Sequence, residues 1–103
     1  MKYIHNFSEF TERIPKEYED AWGIYFILDT DDEIIYIGQS MNIKKRANKY
    51  WKRVSCNKII VDFVLGVETR QDLIDLETDF IWKYRPKHNR NHQHGKKHVS
   101  YYA

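Results

Sequence analysis

The chain is most constrained by two short apolar runs on either side of an acidic break. The first is Gly-Ile-Tyr-Phe-Ile-Leu (23–28), the second Glu-Ile-Ile-Tyr-Ile-Gly (33–38), and Asp29-Thr30-Asp31-Asp32 separates them. β-Branched and aromatic residues bounded by turn formers specify two strands of a hairpin. A loop of Thr30-Asp31, or the wider Asp29–Asp32, sets one register, in which facing residue numbers sum to 61 and Tyr25 lies opposite Tyr36. Strand alternation then puts both phenols on one face, and Ile24, Phe26 and Leu28 on the other with Ile35 and Ile37. A tyrosine pair is by itself compatible with ordinary core packing.

At 103 residues the chain is expected to form one small domain with a modest core. Mean hydropathy is −0.76 and aromatics make up 16%, without the extreme net charge of a disordered protein. The lone Cys56 has no partner for an internal disulfide, which fits a reducing cytoplasm. No signal-like N-terminal segment is evident, and the longest apolar stretch, Ile59–Val67, is broken by Asp62 and Gly66. The expectation is therefore a cytoplasmic protein with no membrane span.

Net charge is only +2 but is unevenly spread. Residues 1–38 hold three basic and nine acidic side chains, and residues 39–103 hold fourteen and six. Two blocks, 39–61 with seven cations and 83–98 with six, contain no acid. Such clustering suits a phosphate backbone, although a charge run is also compatible with a solvated surface. The expected nucleic-acid contacts are Gln39, Lys44, Lys45, Lys49, Lys52, Arg53, Lys87 and Arg90.

Along the chain, Met1–Asn6 reads as a short edge strand or a loose end. Ser8 is placed to cap a short helix carrying Glu9 and Glu12 and ended by Pro15. Residues 16–22 read as a lid on the sheet. Ser40 or Asn42 caps a helix running to about Arg53, with Ile43, Ala47, Tyr50, Trp51 and Val54 at helical spacing. Arg46 and Tyr50, four apart, share a face of it. Ile59–Leu65 is a central or doubly covered third strand. Thr69 caps a helix over about Arg70–Tyr84, which stops ahead of Pro86.

That last helix carries an anomaly. At about 100° per residue, Leu73 and Phe80 fall on one side of Glu77, Ile74 and Ile81 on the other, and Tyr84 nearly below. A glutamate in the middle of an apolar stripe is costly unless a metal ion, an arginine or a proton compensates it. The plain alternative is a partly exposed glutamate or a structural Glu–Arg pair.

Gly23-Ile24-Tyr25, ten residues, then Tyr36-Ile37-Gly38, resembles the signature of the GIY-YIG nuclease family. Further residues match that family's order: Arg46 ten after Tyr36, Tyr50 four after Arg46, and Asn89 twelve after Glu77. The resemblance runs from about Gly23 to Asn89. It implies an α/β (α+β) domain with a small three-stranded, mainly antiparallel sheet flanked by helices. It also implies a magnesium- or manganese-dependent DNA endonuclease that cuts one strand per site. The implied catalytic set is Tyr25, Tyr36, Arg46, Tyr50, Glu77 and Asn89. Glu77 would bind metal, Tyr36 would be the candidate general base, and Arg46 would stabilise the phosphate. Tyr25 and Tyr50 would bond to water or phosphate, and Asn89 would orient the helix end or the DNA. Gln39 stands where some members have lysine, which leaves its role open.

The chain thus divides into an N-terminal extension packed on the domain (1–22), the catalytic region (23–89) and a basic, histidine-rich tail (90–103). DNA, including branched or flapped forms, and a targeting protein are the expected partners, with no small-molecule cofactor. His88, His92, His94 and His98 allow a structural zinc but match no standard finger, so phosphate-contacting histidines are the simpler reading. The rival functions are a non-catalytic nucleic-acid-binding module and a protein-interaction domain using the acidic N-terminal third.

Overall fold

A computed structural model describes residues 3–53 and 55–89. Its four strands are β1 (Phe7–Phe10), β2 (Gly23–Leu28), β3 (Ile34–Ser40) and β4 (Lys58–Asp62), and its two α-helices are α1 (Ile43–Ala47) and α2 (Arg70–Tyr84). The strands form one sheet in the order β1-β4-β2-β3, and every pairing is antiparallel.

The sheet has four strands where the sequence suggested three. The extra strand lies where Ser8 was read as a helix cap: Phe7–Phe10 pairs with Ile59–Asp62. A cap contributes about 1 kcal/mol, whereas β4 is buried between two neighbours and both its backbone edges need hydrogen-bond partners. The ladder prevails. Isolated pairing of Ile4 with Leu65 carries the N-terminal segment further along the same edge. Regular pairing of β4 ends at Asp62, short of Leu65, where the buried carboxylate accepts bonds from the Asn6 backbone (2.8 Å) and His5 Nδ1 (2.6 Å).

The hairpin register also differs. Tyr25 faces Gly38, and Tyr36 faces Ile27. Two extra residues produce the slip. Asp32 adopts a left-handed conformation (φ 59°) that lengthens the loop, while Asp29 Oδ1 accepts from the Asp31 and Glu33 amides. A bulge between Ile27 and Leu28 then leaves Ile35 unpaired. An even shift preserves facing, so both phenols stay on one side. The bulge turns Ile35 to that side as well, away from Ile37 where it was expected.

Every residue of β2 is buried, because helices cover both sheet faces. On one face Ile24, Phe26, Leu28 and Ile37 pack on Leu73, Leu76, Phe80 and Ile81 of α2. On the other, Tyr25, Ile27, Ile35, Ile59 and Val61 meet Ile43 and Ala47 of α1, together with Ile14. Asn42 caps α1 through the Lys45 amide. The α-helix stops at Ala47, and a 3₁₀ turn (Asn48–Lys52) replaces the expected continuation. There the buried Asn48 amide bonds both backbone groups of Ile14 and receives the Trp51 indole. Helix α2 has the predicted bounds and a capping box between Thr69 and Asp72. It ends at Arg85, left-handed at φ 46°, from which Pro86 and a 3₁₀ turn (Lys87–Asn89) return the chain to β3.

Candidate active site

The candidate residues gather around β3 residues 36–39, at the edge of the sheet, where groups from both faces can meet. The two motif glycines have packing reasons. A Cβ on Gly38 would run into the ring and hydroxyl of Tyr25, and one on Gly23 would lie 2.6 Å from the Asp62 carbonyl oxygen. Gly38 therefore lets the Tyr25 phenol lie across the edge strand.

Three phenols cluster there. The ring centroids of Tyr36 and Tyr50 are 5.1 Å apart, those of Tyr25 and Tyr50 5.7 Å, and those of Tyr25 and Tyr36 6.2 Å. Burial raises Tyr25 well above the ordinary phenol range, helped by Tyr50, Tyr36 and, more weakly, Glu77. Burial likewise raises Tyr36, with the Tyr50 hydroxyl next and Glu77 further behind. The protein groups around Tyr25 and Tyr36 thus hold these two phenols protonated.

Glu77 is buried in the α2 stripe, as the helical wheel requires, with 9% of its surface exposed. Burial pushes its carboxyl up to about 7, against the Gln39 backbone N–H, which draws it down. No cation pairs with it among the described residues. Among the described residues there is thus no structural Glu–Arg pair, and a proton or a bound ion is the compensation open to the carboxylate. A carboxylate beside a backbone amide and a polar cleft fits a magnesium-type cation, which takes one or two protein oxygens and keeps several waters. Among the described residues there is no cluster of three or more histidine, cysteine or carboxylate side chains.

Asn89 is buried and spends its amide on β3. Its Oδ1 accepts from the Ile37 N–H (2.8 Å), and its Nδ2 donates to the Ile37 carbonyl (2.9 Å). That two-point contact fixes the edge strand between Tyr36 and Gly38.

A cleft of about 430 Å³ opens beside Gln39 and Ser40, lined further by Met41, Asn42, Lys45, Arg46, Lys49 and Arg70. It contains four cations and no carboxylate, and none of the four has an ion-pair partner among the described residues. Arg46 is exposed in it. Lys44, Lys52 and Arg53 line a second groove, which shares Asn42, Lys45 and Lys49 with the first and is completed by Arg13, Glu19 and Asn48. Arg53 also stacks over the Tyr50 ring at 5.8 Å. Lys87 lies apart from both, beside Asp32 and Glu33. Arg90, His92, His94 and His98 lie outside the described residues. One neighbour has no mark in the sequence: Arg70 joins Arg46 from 24 residues away. No local motif points to it; only the return of α2 to β3 brings it in. His88, one of the histidines expected to contact phosphate, borders a hollow with Tyr36, Tyr50 and Arg53.

A family model described as the UvrC-like GIY-YIG domain matches residues 21–90. Curated relatives include UvrABC system protein C of Methanothermobacter thermautotrophicus, 30% identical over 73% of this chain and 14% of that protein. The same protein of Bacteroides thetaiotaomicron is 32% identical over 80% of this chain and 15% of its own length. The chain thus spans about one seventh of these relatives. Among solved structures, the GIY-YIG N-terminal endonuclease domain of Thermotoga maritima UvrC, bound to its catalytic magnesium, is 22% identical, with a TM-score of 0.53 over 70% of this chain and 86% of that one. That likeness supports the fold, and β1 lies outside the residues matched by the family model. With more than half of its residues matched, the chain belongs to the UvrC-like GIY-YIG domain family of nuclease domains.

Proposed function

We propose that this domain is a divalent-metal-dependent DNA endonuclease that hydrolyses one phosphodiester strand per site. The observation that carries this reading is Glu77, a buried carboxylate with no cation beside it among the described residues, near the Tyr25 and Tyr36 phenols and bonded to the backbone of Gln39, which lines an acid-free basic cleft. Magnesium or manganese, the former bound by the Thermotoga relative, would be held by Glu77 with water and phosphate oxygens. When bound, it supplies Lewis-acid polarisation of the phosphate and stabilises the leaving oxygen.

The chain's own residues do the rest. Arg46 presents a planar fork of donors to the phosphoryl oxygens, where charge grows in the transition state. Lys45 and Lys49 hold the flanking backbone by charge. Tyr36 is the candidate general base, placed to hold the attacking water by hydrogen bond. Because burial raises its pKa, it takes the water's proton only where positive charge stands close by. Tyr25 and Tyr50 order the same water or a phosphate oxygen, and Asn89 keeps β3 in place for all of them. A whole UvrABC system protein C is about seven times the matched length, so a further protein or segment that delivers the DNA fits this reading.

The test is nicking of supercoiled plasmid and of branched DNA by the purified protein, with magnesium or manganese against EDTA. Metal-dependent nicks support the reading. Salt-sensitive binding of every substrate with no cut under any metal would make the domain a non-catalytic nucleic-acid module.

A further inference from the structure

We propose that Arg70 is a phosphate-binding residue of the cleft, gripping a non-scissile phosphate of the strand whose scissile phosphate lies at Glu77. This rests on the nucleic-acid reading above and adds a contact to it. Arg70 opens α2 and lines the cleft with Gln39, Lys45, Arg46 and Lys49, without an ion-pair partner among the described residues. The first turn of a helix disfavours a cation, because the helix dipole is positive there. Helix formation gains nothing from it. Thr69 and Asp72 already cap this end, and the Asp72 carboxylate is taken up by the Glu68 and Thr69 amides.

Arg70 and Glu77 are seven residues apart, two turns less about 20°, so they share one face of α2 about 10 Å apart along its axis. With about 3.4 Å of axial advance per nucleotide, that spacing reaches a phosphate roughly three nucleotides from the cut. Gln39, across the same cleft, is neutral and leaves that charge to Arg70.

The experiment is equilibrium binding of a labelled duplex oligonucleotide in EDTA across a salt series, using the parent, Arg70→Ala and Arg70→Lys. Melting curves and steady-state nicking accompany it. Arg70→Ala is expected to bind severalfold more weakly, with the slope of log affinity against log salt reduced by about 0.9. Arg70→Lys keeps the slope, and Arg70→Ala melts no lower than the parent. In nicking, the loss falls on KM more than on kcat. An Arg70→Ala protein with the parent's affinity and salt slope overturns the proposal, and so does a loss confined to kcat. A parent with no salt-dependent DNA binding overturns it together with the nucleic-acid reading.

Discussion

Replacing Glu77 by glutamine should stabilise the fold in a pH-dependent way. The Glu77 carboxyl titrates near 7 in the folded protein and near its ordinary 4.5 when unfolded, because burial disfavours the charge. The sign follows from linkage. Below about pH 4.5 the group is protonated in both states and contributes no difference. As pH rises toward 7 the unfolded chain ionises freely while the folded chain resists, so the folded state loses ground. Above both values the penalty levels off at about 3 kcal/mol. For a domain of this size that corresponds to roughly 15 °C in Tm. Glu77→Gln keeps the shape and removes the charge. Urea denaturation of both proteins in EDTA, from pH 4 to 8.5, should give equal stabilities at pH 4. The difference should grow to about 3 kcal/mol in favour of the variant by pH 8. A constant difference, or none at pH 8, would refute the claim that an uncompensated carboxylate is buried there.

Three other outcomes follow from the same geometry. Because a proton and a cation compete for Glu77, the apparent magnesium affinity of the domain should fall about tenfold per pH unit below about 7 and level off above it, as read by calorimetric titration. Asn89→Ala strands the Ile37 N–H and carbonyl and should cost about 3 kcal/mol in urea denaturation; an unchanged midpoint would show that the contact is dispensable. Gly38→Ala drives a methyl into the Tyr25 ring, so it should cost about 1–3 kcal/mol, and displacement of that ring should cut nicking of plasmid more than it cuts DNA binding.

Much of this architecture is local in origin, and that part could be read directly. Thr69 and Asp72 announce the start of α2, Pro86 its end, and the 3.6-residue period places Glu77 among apolar neighbours. The phenols share a face because strand alternation survives an even slip of register. What stayed hidden depends on contacts distant in sequence or on single backbone angles. Ser8, Glu9 and Glu12 carry a helix-start pattern, yet the open edge of β4, some 50 residues later, takes the segment as a strand. Nothing in Asp29–Asp32 declares that Asp32 turns left-handed, and nothing in a run of isoleucines declares which one bulges. Asn89 was marked by position, but its partner, the Ile37 backbone, appears only when the chain returns across β3. A lone arginine at a helix start, such as Arg70, has no sequence pattern, and only the cleft gives it company. The tail 90–103, with its histidines, lies outside the described residues.

The central claim is that Glu77 anchors the metal on which strand cleavage depends. Its most direct test is single-turnover nicking of plasmid by the parent and by Glu77→Ala, at saturating magnesium and pH 8, with folding of both checked by circular dichroism. The account predicts a folded variant that binds DNA and cuts at least about a thousandfold more slowly. A folded Glu77→Ala protein that nicks at the parent's rate would contradict it.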